Sequence, residues 1–244
     1  NMVRWLEKEG YDVGYITNLD THESASLIAN AKTFLSQGHD EYWSSQMRGH
    51  VEDARDAGVN LAFFSANTSY WQVRFEPSPS TGAPDRVMVG YKSAATDPYA
   101  TDDDPDNDRY VTVRFRDPPV KWSEALMKGS QYITDPVDGD ITISTASHWV
   151  FNGTGLANGQ SLRGLLGYEV DQRTDTSPPG TISLANSPIS WWPGQSSDMT
   201  IYTAASGARV FGTGTIQWSW GLDDYGAPAL RSSRLSAEAA TITA

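Results

Sequence analysis

Hydrophobic positions in the first 65 residues alternate between the spacing of a helix and that of a strand. In the segment 45–57, Met47, Val51 and Ala54 recur at helical spacing among charged side chains, which predicts an amphipathic helix. The next segment, 59–65, is almost entirely apolar, as expected of a parallel strand covered on both faces. The same reasoning predicts, in order, a helix over 2–10, a strand over 12–17, a helix over 19–31, a strand over 33–36, a helix over 45–57 and a strand over 59–65.

Repeated helix-then-strand units of this length predict an α/β fold, with a doubly wound, mostly parallel sheet between two layers of helices. Leu27 and Ile28 are expected to face the core, and Thr21 to cap the helix over 19–31. Arg48 lies on the charged side of the helix over 45–57 and is expected to face solvent.

From Tyr70 onward the pattern changes to short alternating segments, which are typical of antiparallel strands. These segments are 71–75, 86–91, 110–115 and 141–144, separated by a Pro- and Ser-rich stretch, 77–84, and an Asp-rich stretch, 97–108. The α/β pattern partly returns with strands predicted over 162–168, 199–203 and 208–213 and a helix over 229–243. We therefore predict a single domain over 1–244 with a β-rich insertion at about 76–160.

The composition is that of a globular chain with an acidic surface. Hydrophobic residues make up 39% of the 244 residues and include nine Trp, so the chain can bury a sizeable core. Asp and Glu outnumber Lys and Arg by 30 to 18, which gives a formal net charge of −12. Such a surface repels phosphate backbones and anionic lipid headgroups, so we expect no nucleic-acid partner and no membrane partner.

Cysteine is absent, which excludes disulfides, thiolate metal ligands and a thiol nucleophile. The acidic, Lys-poor composition is typical of a secreted bacterial protein, with a cytoplasmic location as the alternative. The chain begins inside a predicted helix, and its C-terminal segment, 237–244, stops in mid-pattern, so we expect it to be an excerpt from a longer polypeptide.

Two ionisable side chains, His39 and Glu41, follow the strand over 33–36 and Gly38. In open parallel sheets this junction between a strand and the next helix is where ligands bind. Residues at alternate positions of such a turn can face the same crevice, as acid and base or as metal ligand and supporting group. The alternative is structural, with His39 bonded to a buried carbonyl and Glu41 placed favourably in the first turn of the helix.

Two further polar residues occupy equivalent places. Asn67 follows the strand over 59–65, and Glu169 follows the strand predicted over 162–168. Because the carboxyl ends of parallel strands meet at one edge of a sheet, we expect His39, Glu41, Asn67 and Glu169 to share a single cavity there.

Two other clusters carry weaker signals. The Asp-rich segment 97–108 either binds Ca²⁺ or forms a solvated loop, and the loop is favoured because the Gly and terminal Glu of an EF-hand are missing. The Trp residues either form a wall that faces a carbohydrate or another substrate, or pack in the core and at its rim. They are Trp191, Trp192, Trp218 and Trp220.

Several catalytic motifs are absent from the sequence. It contains no Gly-x-Ser-x-Gly elbow, no phosphate-binding or dinucleotide-binding glycine pattern and no His-Glu-x-x-His. With four His in the chain, a standard zinc hydrolase site is not expected.

Several long motifs resemble one known family. The most specific are Gly38-His39-Asp40-Glu41-Tyr42-Trp43 and the segment 211–224, which reads Phe-Gly-Thr-Gly-Thr-Ile-Gln-Trp-Ser-Trp-Gly-Leu-Asp-Asp. Further matching segments, in collinear order, are 2–13, 57–64, 66–67, 70–75, 153–156 and 167–169. Together they resemble the C-terminal region of the large (beta) subunit of N,N-dimethylformamidase, over essentially the whole chain.

The resemblance implies a flavodoxin-like, three-layer fold similar to that of the class I glutamine amidotransferases. It also implies hydrolysis of a formamide C–N bond at a mononuclear Fe(III) held by two Tyr and one Glu. Glu41 matches the ligand Glu and His39 a nearby site residue. Asn67 matches a polar residue of the substrate site, and Glu169 a candidate acid or base.

The two ligand tyrosines of that family lie upstream of the region that this chain covers. None of the early tyrosines matches them by motif; these are Tyr11, Tyr15, Tyr42 and Tyr70. The resemblance therefore implies that the iron site is completed by polypeptide preceding Asn1.

These observations favour an iron-dependent amidohydrolase that acts on a small amide such as a formamide, either as a homo-oligomer or with a small partner subunit. One alternative is a non-catalytic, glycan-binding module of a large secreted bacterial protein. A second alternative is a hydrolase of the same fold that acts on another C–N bond or on an ester.

Overall fold

The computed structural model describes residues 1–228 and 235–244. Their strands are β1 (Thr33–Gly38), β2 (Tyr42–Ser44), β3 (Asn60–Ser65), β4 (Trp71–Glu76), β5 (Val87–Val89), β6 (Gln131–Thr142), β7 (Ser161–Gln172), β8 (Ile182–Pro188), β9 (Ser196–Thr203) and β10 (Arg209–Gly212). Their α-helices are α1 (Met2–Glu9), α2 (Asn18–Glu23), α3 (Ser26–Ala29), α4 (Ser45–Asp56), α5 (Ala125–Lys128) and α6 (Ala237–Thr243).

The central sheet has five strands in the order β1-β3-β10-β9-β8. The strands β1, β3 and β10 run parallel, whereas β9 and β8 are antiparallel to their neighbours. The predicted α/β class is therefore confirmed, but the sheet is mixed instead of mostly parallel. Gly38 pairs with Ser65, so β1 and β3 end side by side at one edge of the sheet.

Side chains of β3 alternate between two hydrophobic cores, one on each face of the sheet. Leu61 and Phe63 pack into a cluster with Met47 and Val51 of α4. Phe64 packs into the second cluster, which contains residues of α1, of the β6–β7 hairpin, of β8 and β9, and of α6. The sheet is therefore covered by helices on one side and by a hairpin with helices on the other.

The two helices with the clearest sequence signals form as expected. Gly10 ends α1 in a left-handed conformation, with φ at 76°, which favours glycine. Ser44 caps the N-terminus of α4, and its hydroxyl accepts a hydrogen bond of 3.1 Å from the backbone N–H of Met47.

Two predictions near the N-terminus are wrong. No strand forms over 12–17, because this largely exposed segment has no neighbouring strand with which to pair. The helix predicted over 19–31 is broken into α2 and α3, since Ser24 adopts an extended backbone. Thr17, not Thr21, caps α2, and Leu27 is 50% exposed, although Ile28 is buried as expected.

Arg48 is buried, which contradicts its predicted place on the solvent face of α4. Its guanidinium donates hydrogen bonds to the backbone carbonyls of Trp122 and Ser123, and it lies 4.3 Å from the centre of the Trp122 ring. A distant loop thus covers this side of α4, a contact that helical periodicity cannot reveal.

The β-rich middle is partly as predicted. The strands over 71–75 and 86–91 form and pair as β4 and β5, but the segment 110–115 makes only an isolated bridge through Arg114. The segment 162–168 lies inside β7, which pairs antiparallel with β6 in a long hairpin outside the central sheet. The prediction that 162–168 is a parallel strand of the sheet is therefore wrong. An apolar run does not show whether a strand pairs parallel or antiparallel.

The Asp-rich segment and the C-terminal helix can also be compared with their predictions. Asp97 is buried and bonded to Arg74, whereas 101–106 is an exposed loop. The C-terminal helix begins at Ala237, and the part of the prediction over 229–234 lies outside the described residues. Among the residues that the structure describes, none of the helices has the length and apolar character needed to cross a membrane.

Candidate active site

The turn between β1 and β2 is fixed by Asp40. Its carboxylate accepts hydrogen bonds from the Ser36 hydroxyl at 2.9 Å and from the Asn18 amide at 3.0 Å. Its backbone carbonyl accepts the N–H of Ser69 at 3.0 Å. Gly38 permits the turn through a left-handed φ of 71°. With Asp40 held on one side, His39 and Glu41 can face the other.

The structure brings all four predicted site residues together at this edge of the sheet. His39 Nε2 lies 3.4 Å from Glu41 Oε2 and 3.1 Å from Glu169 Oε2. Asn67 donates through its side-chain amide to Glu41 Oε1 at 3.3 Å. Side-chain exposure is 44% for His39 and 14% and 10% for the two carboxylates, so solvent reaches the group from the imidazole side.

Asn67 occupies an unusual backbone conformation directly after β3. Its φ is 53°, in the left-handed region that Asn tolerates better than most residues. Its backbone N–H donates to Asp171 Oδ1 at 2.9 Å, and the residue is only 2% exposed. This conformation directs the carboxamide toward Glu41.

Glu169 reaches the site by a different route from the predicted one. It lies within β7 and not after the end of a parallel strand of the sheet. The hairpin crosses the edge of the central sheet, where Val170 bridges to Thr215 just beyond β10. Glu169 therefore approaches His39 from the layer that packs on the sheet.

Two buried oxygens in the site lack a hydrogen-bond partner. They are Asn67 Oδ1 and Glu169 Oε2. His39 Nε2 is close to the second oxygen, but the contact lacks the alignment of a hydrogen bond. A buried acceptor needs a donor, so these two oxygens are available to water or to a bound molecule that carries N–H or O–H groups.

Burial raises the pKa of the Glu169 carboxyl above its ordinary value. The negative charges of Glu41 and Asp135 raise this pKa further, whereas the hydrogen bond from Asn67 and the nearby His39 oppose the rise. A carboxyl with a raised pKa retains its proton at higher pH, which suits a general acid.

Glu169→Gln is expected to change how stability depends on pH. An unfolded Glu titrates near pH ~4.3. Because the folded pKa is higher, the folded protein holds a proton that the unfolded chain has already released. The contribution of Glu169 to stability therefore falls as the pH rises from about 4 through the raised pKa, and the Gln variant lacks this contribution. Urea unfolding of both proteins across this range measures it, and a pH-independent difference between them would contradict it.

Two tyrosines that the sequence analysis did not select stand beside the site. The rings of Tyr70 and Tyr132 lie 5.2 Å apart in an edge-to-face arrangement, and the Tyr132 hydroxyl donates to Asp135 Oδ2 at 2.7 Å. Burial raises the pKa of Tyr132, and the charges of Asp135 and Glu169 add to the rise. Tyr132 is opposite Asp171 in the β6–β7 register, a pairing that only the structure reveals.

The described residues do not by themselves complete the three-ligand iron site that the resemblance implies. Glu41 offers one carboxylate, and no group of three or more His, Cys, Asp or Glu in this part of the chain is arranged to hold a metal ion. The nearby phenols are engaged elsewhere, since Tyr132 bonds Asp135 and Tyr70 bonds Arg114.

The proposed aromatic wall does not form as a unit. Trp218 is fully buried, stacks on Phe64 and donates to the Thr243 hydroxyl, so it belongs to the core. Trp191 and Trp192 are exposed but stack on each other, with their ring centres 5.9 Å apart and their planes 14° from parallel. The two exposed indoles thus stack as a pair that is separate from the buried Trp218.

The sequence model of a protein family described as "N,N-dimethylformamidase beta subunit-like, C-terminal" matches residues 1–231 of the 244. No curated protein matches the chain.

Proposed function

The chain belongs to the N,N-dimethylformamidase beta subunit-like, C-terminal family, and from that premise we propose that it hydrolyses the C–N bond of a small amide such as a formamide. One observation carries the proposal. The His39 imidazole lies 3.4 Å and 3.1 Å from two carboxylates, and the Asn67 carboxamide lies 3.3 Å from the first of them, at the edge of the sheet where α/β folds bind ligands.

In this proposal, Glu41 is the ligand that this chain contributes to Fe(III), and the two tyrosine ligands come from polypeptide upstream of Asn1. The ferric ion, when bound, supplies a Lewis acid and lowers the pKa of its water. A set of phenolate and carboxylate oxygens suits a hard ion better than it suits Zn²⁺.

The chain's own residues orient the reactants and move protons. His39 and Asn67 position the attacking water and the amide, because each of them contacts Glu41 and lies close to Glu169. The protonated carboxyl of Glu169 donates to the amide nitrogen as the C–N bond breaks. The water oxygen ends on the carbonyl carbon, and its released proton restores the acid form of Glu169.

Three finer statements belong to the same proposal. The two cores on opposite faces of the sheet support a three-layer fold like that of the class I glutamine amidotransferases. The beta subunit-like description of the family supports association with a small partner subunit, with a homo-oligomer as the alternative. The acidic composition supports secretion from a bacterial cell.

Amine release by the full-length protein tests the function. The purified protein is assayed for iron content and incubated with N,N-dimethylformamide, other small amides and matched esters. We expect stoichiometric iron and release of amine from formamides in preference to ester cleavage. An iron-loaded protein that cleaves none of the amides contradicts the proposal, and glycan binding by such a protein supports the non-catalytic alternative.

His39→Ala is expected to lower turnover by about 10²-fold while the melting temperature changes little. The His39 side chain is 44% exposed, so its loss removes little packing, whereas its contacts with both carboxylates are lost. Thermal unfolding and amine-release kinetics measure the two effects. His148→Ala serves as the control, because His148 caps a short turn at Val150 and contacts the Trp149 ring. A large drop in melting temperature with His39→Ala would mean that His39 has a structural role.

A further inference from the structure

A buried ion pair that the proposed reaction does not use lies directly beneath the site. Lys128 Nζ contacts Asp171 Oδ2, and both side chains are almost fully buried, with exposures of 1% and 2%. Removing two charges from water is expensive, and an apolar pair of similar size is often at least as stable. The ion pair therefore calls for an explanation beyond stability.

The two carboxylate oxygens of Asp171 have separate roles. Oδ2 pairs with the ammonium group of Lys128 and accepts a hydrogen bond of 3.4 Å from the Ser130 hydroxyl. Oδ1 accepts the backbone N–H of Asn67 at 2.9 Å. Lys128 and Ser130 thus hold the carboxylate in place from the protein interior, while its other oxygen bonds the backbone at the site.

The bond to Asn67 stabilises a conformation that is otherwise unfavourable. A non-glycine residue in the left-handed region costs roughly 1 kcal/mol or more, so the turn needs support from its surroundings. Asn67 is 104 residues from Asp171 in sequence, and no residue local to the turn provides this acceptor. The direction of the Asn67 carboxamide therefore depends on Asp171.

The same strand also carries Glu169. Residues two apart on a strand project from the same face, so Glu169 and Asp171 both point from β7 toward Asn67. A shift of β7 would move both groups together. The bond between Asp171 and Asn67 therefore sets the position of the Glu169 carboxyl relative to the Asn67 carboxamide.

We propose that Asp171, clamped by Lys128, is a positioning residue that fixes the left-handed turn at Asn67 and so sets the spacing between Asn67 and Glu169. It acts through Asn67 and does not touch the substrate. The kinetic part of this inference rests on the proposed amide hydrolysis, whereas the structural part stands without it.

Two double variants of the full-length protein distinguish the effect of losing the hydrogen-bond acceptor for the Asn67 N–H from the effect of losing the ion pair. Lys128→Met with Asp171→Asn removes both charges and keeps an oxygen for the Asn67 N–H. Lys128→Met with Asp171→Leu removes both charges and also the acceptor oxygen, while the side chain at 171 keeps a similar shape. Residue-resolved hydrogen exchange of the Asn67 amide, amine-release kinetics and thermal unfolding are measured for each. Asp171→Ala, which also lacks an acceptor, replaces Asp171→Leu if that variant does not fold.

We expect the variant with Asn to keep the protection of the Asn67 amide and to retain turnover within about threefold of the wild type. The variant with Leu is expected to exchange at Asn67 about tenfold faster, as the loss of one hydrogen bond predicts. Its kcat should fall about tenfold or more, with a smaller change in KM.

A second buried ion pair provides the matched control. Asp97 pairs with Arg74 and accepts the backbone N–H of Thr112, the same chemistry away from Asn67. Arg74→Met combined with Asp97→Asn or Asp97→Leu should alter the melting temperature but leave exchange at Asn67 and turnover unchanged.

Equal exchange at Asn67 and equal turnover in the Asn and Leu variants would overturn the inference. Equally fast exchange of the Asn67 amide in the Asp97 variants would overturn it as well, because the loss of any buried ion pair would then loosen the turn at Asn67. If the wild type cleaves no amide but the exchange difference is present, the positioning role stands and the proposed function fails.

Discussion

Replacing Glu41 with Ala in the full-length protein should lower kcat/KM for formamide hydrolysis by about 10³-fold or more, equivalent to ~4 kcal/mol of transition-state stabilisation. Glu41 contacts both His39 and Asn67, so its loss removes one site contact from each of these side chains. In the proposed function it also removes the ligand that this chain contributes, so bound iron should fall together with activity.

Two comparisons make the Glu41 result specific. Glu76→Ala, at the partly exposed end of β4, should leave iron content and turnover unchanged. Glu41→Gln keeps the shape and an oxygen for the Asn67 amide, so it should preserve folding while iron binding still falls. Amide hydrolysis that survives Glu41→Ala at the wild-type rate would remove Glu41 from the mechanism.

Glu169→Gln should lower kcat by about 10² to 10⁴-fold, the range expected for the loss of a general acid. Its carboxyl is buried, its pKa is raised, and it lies 3.1 Å from His39, so it is suited to hold and deliver a proton inside the site. The loss should depend on the leaving group. Dialkylamines, which need a proton to leave, should be affected most, and anilides with electron-withdrawing rings least.

Kinetics with a series of amides of graded leaving-group basicity measure this dependence. Asp138→Asn on the neighbouring strand β6 is a control for a change of charge in the hairpin. An equal loss of kcat for all leaving groups would contradict proton donation by Glu169 and would assign it another role.

The parts of the fold that were predicted correctly are those that local patterns decide. In α4, Met47, Val51 and Ala54 form a stripe that fits only a helix, and Ser44 provides the cap. In β3, an apolar run bounded by polar residues fits a covered strand, and in β1 a shorter apolar run precedes Gly38. These patterns need no information about distant contacts.

The parts that were predicted wrongly depend on contacts between distant residues. Arg48 is buried because the loop at 122–123 covers it, and β7 pairs with β6 because a hairpin forms around the connection at 143–160. Neither event changes the hydrophobic spacing of the segment itself. The segment 12–17 has the spacing of a strand but no partner.

The residues of the candidate site also divide into those that local patterns place and those that distant contacts place. His39, Glu41 and Asn67 could be placed together from sequence, because they follow two strands that end side by side in the sheet. Glu169 was selected correctly as a neighbour of these residues but for a wrong topological reason, since it arrives from the hairpin.

Asp171 and Lys128 were missed, because their contacts span more than 40 residues. The available signal was the acidic pair at 169 and 171, two residues apart and so on one face of the strand, flanking the apolar Val170.

Double-mutant kinetics of His39 and Glu169 test most directly whether these side chains act as one site. Amine release is measured for the wild type, His39→Ala, Glu169→Gln and the double variant. If the two groups act together on one substrate, the double variant should lose little more than the more damaging single change. If the two losses simply multiply, the groups act independently and the account of a single site is contradicted.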